Sequence, residues 1–158
     1  MKMNTKIVRF LIGTNTKNLS IGLLLLRCII GVILFIVGSG KVLGWFGGFG
    51  LQTTIQYFTT KMGIPAFLAY VSCYTEFIGG FLLIIGLFTR PVAIAVTINM
   101  AVATSVMLPN GFIGASGASY PFFVLISAVI ILLAGPMSFS LDNILLTHDT
   151  IINDQPKK

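Results

Sequence analysis

Charge is what this sequence has least of. Only 9% of its 158 residues are charged, as ten Lys and Arg and four Asp and Glu, beside a single His. Soluble domains carry roughly 25%, so the chain has too few charged side chains to cover a water-facing surface. The scarcity of metal-binding side chains excludes more. One histidine, His148 in the C-terminal tail, cannot supply a bis-His haem or a copper site. The two cysteines, Cys28 and Cys73, lie on different apolar runs without a CxxC spacing, which indicates neither a dithiol pair nor a zinc site. They are read as small packing residues. The pattern shows no metal cluster, Gly-rich phosphate loop or nucleophile elbow, and no cofactor is evident from it.

What is abundant is apolar. Hydrophobic residues make up 56% of the chain, and the mean hydropathy is +0.99. A helix needs about 20 mostly apolar residues to cross the ~30 Å hydrocarbon core. Four runs qualify, at about 21–43, 64–88, 91–108 and 120–139. The expectation is an all-α membrane protein, a four-transmembrane-helix bundle forming a single domain over residues 1–158. The first run follows a polar tail and lacks a small-x-small cleavage site, so it reads as a spanning helix and not as a removed signal.

The net charge of +6 reflects location, not a nucleic-acid footprint. Lys2, Lys6, Arg9, Lys17, Arg90, Lys157 and Lys158 fall on one side of the expected topology, Lys41 and Lys61 on the other. The positive-inside rule then places both termini in the cytoplasm of a multi-pass cell (cytoplasmic, or inner) membrane protein. In residues 1–13, Met3, Ile7, Phe10 and Leu11 share one helical face, which suits a short interfacial helix, and Ser20 is placed to cap the first span. On the outer side, "LQTTIQYFTTKM" suits a second flat helix with Leu51, Ile55 and Phe58 inward. Pro65 opens the second span, and "TRP" makes a tight turn between the second and third.

Glu76 sits at the midpoint of 64–88, a run with no other charge. A charge at the bilayer centre costs on the order of 2.5–3.5 kcal/mol, so this acid needs a partner. Arg27, Gly31, Leu34, Gly38 and Lys41 share one face of the first helix; Ser72, Glu76, Gly79 and Gly80 make a small-plus-acid face on the second. Glycines at 31, 38, 79 and 80 let helices approach closely. Arg27 lies about five residues, ~7.5 Å, from its helix centre, within side-chain reach of Glu76, and Asn99 is near the middle of the third span. The expected buried polar cluster is therefore Arg27, Glu76 and Asn99, with Lys41 turned to the headgroups but on the same face. Three roles stay open for it: a structural ion pair, a proton-handling or quinone-contacting acid, and a transport pathway.

The motifs also resemble a known family. "LLRCIIGVILFIVGSGKVLG", "YTEFIGGFLLIIGLFTRPVAI", "INMAVATSV" and "LLAGPMSFSLD", the last ending in Ser140, Leu141 and Asp142, are similar in order and spacing to the DoxX family over about residues 21–143. The segment before the fourth run, "GASGASYPF", lacks the carboxylate many members carry there. The resemblance implies a four-helix inner-membrane protein similar to the small subunit of thiosulfate:quinone oxidoreductase. It implies an accessory or quinone-interacting subunit in thiol, thiosulfate or oxidative-stress chemistry, working with a redox partner protein. The alternatives are a non-catalytic membrane scaffold and a small-molecule or ion transporter that uses the Arg27–Glu76–Asn99 layer; four helices are few for a monomeric pore, so the transporter requires a homo-oligomer.

Overall fold

The computed structural model describes residues 16–114, 116–135 and 140–142, without the side chains of 16–18. The interfacial helix expected over 1–13 and the tail with His148 lie outside the described residues. Those described form helices and turns, with no strand among them. The elements are α1 (Thr16–Leu43), a 3-10 turn (Trp45–Gly47), α2 (Gly50–Met62), α3 (Ala66–Ile85), α4 (Thr89–Met107), a second 3-10 turn (Leu108–Asn110) and α5 (Ser119–Ala134).

Helix ends follow local chemistry. α1 begins before Ser20, because no Gly or Pro interrupts residues 16–20; Ser20 is inside the helix and is not its cap. α3 starts after Pro65 and stops at Ile85, three residues short of the expected end. Gly86 takes the left-handed conformation (φ 70°) there, and its N–H and that of Leu87 fold back onto Leu83 and Leu82. This is the Schellman arrangement that glycine favours.

α1, α3 and α4 are long and apolar enough to cross a membrane. α5 has 16 residues, about 24 Å at 1.5 Å per residue, and ends at Gly135. The expected span to 139 is therefore covered only in part by the described helix. The four helices close a ring, α1 on α3, α3 on α4, α4 on α5 and α5 back on α1. Leu34, Leu83, Val96, Met100, Val124 and Ala128 fill its centre. The outside is apolar too: Phe67, Ile98, Phe123 and Leu133 are all more than 60% exposed. Apolar surface of that extent fits lipid and not water.

In lipid, helix association rests on close packing, since the tails are as apolar as the side chains. α1 and α3 meet through glycine. A Cβ on Gly38 would collide with the backbone of Glu76 and Phe77. One on Gly31 would lie 2.9–3.0 Å from Ile84 and the Gly80 carbonyl, and one on Gly80 would strike the Leu34–Phe35 backbone. Phe35 and Phe77 stack alongside, ring centroids 5.4 Å apart. Gly79 faces the other way, onto Val92 and Val96 of α4. These pairings run in opposite directions along the two helices, so α1 and α3 are antiparallel with Gly38 level with Glu76.

At the α3–α4 turn the chain passes through Phe88 in a left-handed conformation (φ 52°), rare for a bulky residue. Asp142, far along the chain, holds it. Its two carboxylate oxygens accept from the Phe88 and Thr89 N–H groups, each at 2.8 Å, and its own N–H donates to the Gly86 carbonyl. A helix N-terminus has unpaired N–H groups that a carboxylate satisfies; here the cap comes from the end of the fold and not from the adjacent sequence. Burial pushes the Asp142 carboxyl up, but the N–H donors of Thr89 and Phe88 and the charge of Arg27 more than offset this, leaving it below its ordinary value of 3.8. A depressed folded-state value stabilises the fold above the ordinary carboxylate range and loses that contribution as pH falls through the depressed value. Asp142→Ala is expected to cost about 1 kcal/mol. Thermal unfolding in detergent would check it, with Asp142→Ala showing a shallower loss of stability than wild type between neutral and strongly acidic pH.

Candidate functional site

Glu76 lies on α3 with its side chain 3% exposed, and Lys41, near the end of α1, turns inward to meet it. Lys41 Nζ donates to Oε1 at 2.7 Å and to Oε2 at 2.5 Å. Asn99 of α4 adds a longer contact, Nδ2 to Oε1 at 3.4 Å. The Lys41 ammonium also stands 5.5 Å from the centre of the Phe58 ring, within cation–π range. Phe58 belongs to α2, which packs over this end of the bundle. Leu51 and Phe58 turn inward beside buried Ile55, against Ala69 and Cys73 of α3. Cys73 thus packs in this cluster, while Cys28 is half-buried on α1.

The expected Arg27–Glu76 pair does not form. Arg27 is buried at the other end of the bundle, where a Cβ on Gly86 would sit 2.7 Å from its Nη1. Ten residues of α3 separate Gly86 from Glu76, about 15 Å along the axis. The difference is one of register: a shared midplane for the first two apolar runs would pair residue 32 with residue 76. The glycine contacts instead set Gly38 level with Glu76, a slide of six residues or ~9 Å. That slide brings Lys41, one turn past Gly38, into reach, and carries Arg27 to the turn end. Lys41 therefore does not turn to the headgroups as expected. Of the remaining named residues, Ser140 is buried, Leu141 is exposed, and Asp142 is the α4 cap.

The Lys41–Glu76–Asn99 group forms one wall of a cavity of about 550 Å³. Ser72, Thr75 and Tyr120 add hydroxyl groups to the lining, and most of the remainder is apolar, including Val37, Met62, Ile98 and Met107. Volume and lining match small-molecule sites, which are mostly apolar with a few placed polar groups. The mouth faces outward between α3 and α4, where Leu68, Val71, Ile98 and Val102 are exposed. Sequence reading missed Thr75, Tyr120 and Phe58 as parts of the site. The signals were slight: a threonine beside the acid, an aromatic at the start of the last apolar run, and Phe58 on the inward face of the flat helix.

A model of the DoxX family matches residues 22–109, a stretch that holds Lys41, Glu76, Asn99 and most of the cavity wall but not Asp142. The chain is 38% identical over 128 residues to a Bacillus subtilis (strain 168) protein, "Putative oxidoreductase CatD", covering 80% of this chain and 88% of that one. It is 27% identical over 128 residues to "Inner membrane protein YqjF" of Escherichia coli (strain K12), covering 79% and 92%. No solved structure matches the chain.

Proposed function

The chain belongs to the DoxX family and is a multi-pass protein of the cytoplasmic membrane, and from that premise we propose that it binds the ring of a quinone beside Lys41 and Glu76 as an accessory subunit in membrane redox chemistry. The observation that carries the reading is the placement of a buried acid, a base and an amide in an apolar cavity that opens toward lipid. A quinone ring has two carbonyl oxygens that accept hydrogen bonds. Reduction adds two electrons and two protons and turns them into hydroxyl donors. Lys41 and Asn99 are donors suited to the oxidised ring, and Glu76 is an acceptor suited to the reduced one. The name of the Bacillus relative, an oxidoreductase, supports the redox class. Electrons come, on this reading, from a partner protein.

The same reading takes α5 as a fourth crossing and the whole chain as one membrane domain. The α3–α4 turn then lies in the cytoplasm together with both termini and with Arg90, which the structure places in the first turn of α4 and not in the expected tight turn. The cavity opens on the opposite half of the bundle. Titration of the purified protein in detergent with a quinone carrying one prenyl unit tests the proposal. Saturable binding is expected, weakened about 10- to 100-fold in Glu76→Gln, the range for hydrogen bonds to charged groups. Absence of saturable binding to wild type would overturn it.

A further inference from the structure

A second concavity adjoins the cavity and is not used by the ring. It is a shallow groove of about 510 Å³ along the outside of the α3–α4 seam, lined by Tyr70, Tyr74, Ile78 and Leu82 of α3 and Pro91 and Val92 of α4. It shares Val71, Thr75 and Ala95 with the cavity, so the two spaces adjoin at that neck. From Tyr70 to Leu82 the groove runs about 18 Å along α3 at 1.5 Å per residue. It leads away from the α2 end and toward the α3–α4 turn. Its floor is close-packed where Gly79 meets α4: a Cβ there would lie 3.3 Å from Val92.

We infer that this groove takes the prenyl chain of a membrane-resident quinone whose ring occupies the Lys41–Glu76 cavity, so that the substrate enters sideways from the bilayer and long-chain quinones are preferred to soluble ones. The inference rests on the ring-binding reading above. Three features single out this occupant. The groove begins at the mouth of a cavity with a polar wall, as a molecule with a polar ring and an apolar tail requires. Its lining is nearly all hydrocarbon, with the Thr75 hydroxyl at the neck and two tyrosines at one edge. It also faces lipid along its whole length, with Val71, Tyr74 and Ile78 each more than 40% exposed, so a chain lying there exchanges lipid contacts for protein contacts without crossing water. A chain so bound adds dispersion contacts along the seam and restricts the ring to one entry direction.

Two variants test this in the full-length protein: Ala95→Trp, which fills the neck, and Ile78→Trp, which fills the groove beyond the cavity. Each is titrated with a one-unit prenyl quinone and with a quinone of four or more units. Partition into detergent acts alike on variant and wild type and cancels in the ratio of their affinities. Wild-type thermal unfolding in each variant serves as the folding control. The expected result is a loss of about tenfold or more for the long-chain quinone in both variants, with the one-unit quinone changed less than twofold in Ile78→Trp. Equal loss for both quinones in Ile78→Trp, or loss for neither quinone in that variant, overturns the tail site while leaving the ring site standing. No binding of either quinone to wild type removes the ring site itself, and this inference with it. If quinone binding is unchanged but Ala95→Trp abolishes a cross-linked dimer present in wild type, the groove belongs to a second copy and the inference is wrong.

Discussion

Lys41→Met is expected to lower the unfolding free energy by about 3 kcal/mol, more than any other single side-chain removal considered. The cause is the acid left behind. The Glu76 side chain is 3% exposed, its remaining side-chain partner is Asn99 at 3.4 Å, and a buried charge stripped of its counter-ion typically costs 3–5 kcal/mol. The lower end applies because the Lys41 side chain is 23% exposed, so the pair is not fully enclosed. The reverse substitution is unequal to it. Glu76→Gln leaves a lysine near a helix end, and a lysine there reaches the headgroups along its flexible stem; about 1 kcal/mol is expected. Lys41→Met combined with Glu76→Met removes both charges and is expected to recover to within about 1 kcal/mol of wild type. Thermal unfolding of the three variants in one detergent checks the order. Additive losses would show that the two side chains do not depend on one another.

Gly80→Ala is expected to cost about 2–3 kcal/mol, a large effect for one methyl group. A Cβ at this position meets the Phe35 backbone N–H and lies 2.8 Å from the Gly31 carbonyl and 2.9 Å from the Leu34 backbone. Backbone atoms cannot rotate aside, so α1 and α3 must separate or slide, in the range typical of overpacked cores. The slide matters beyond stability, because the glycine contacts set the register that delivers Lys41 to Glu76. The same substitution at Gly22, where nothing lies within 4 Å, is expected to be neutral or to stabilise by up to ~1 kcal/mol through helix propensity. If both variants melted alike, the glycine face would not determine the packing of α1 on α3.

The sequence carried the helices well because their signal is composition. Runs of apolar residues bounded by Gly86, Pro65 and polar loops mark α1, α3 and α4 to within a few residues. It also carried the need for a partner at Glu76, since an isolated acid in a long apolar run has few stable outcomes. What it did not carry was which cation answers. Arg27 and Lys41 lie on the same face of α1, and only the offset of one helix against another decides between them. That offset is fixed by backbone approach at Gly38 and Gly80, a property of two surfaces together. The cavity was illegible for a similar reason. Tyr120, Thr75 and Phe58 come from three separate elements and share no local pattern. Asp142 was visible as part of a motif, but its target at Phe88 and Thr89 is more than fifty residues away.

That distance sets an order of events during biosynthesis. A ribosome makes the α3–α4 hairpin well before it reaches residue 142, so the first turn of α4 enters the membrane with its leading amides still hydrated. Only when Asp142 has been translated do those amides exchange water for carboxylate and the Phe88 turn acquire its brace. The hairpin is thus finished by a late arrival, and a chain that stalls or is clipped before Asp142 carries an open seam at that turn.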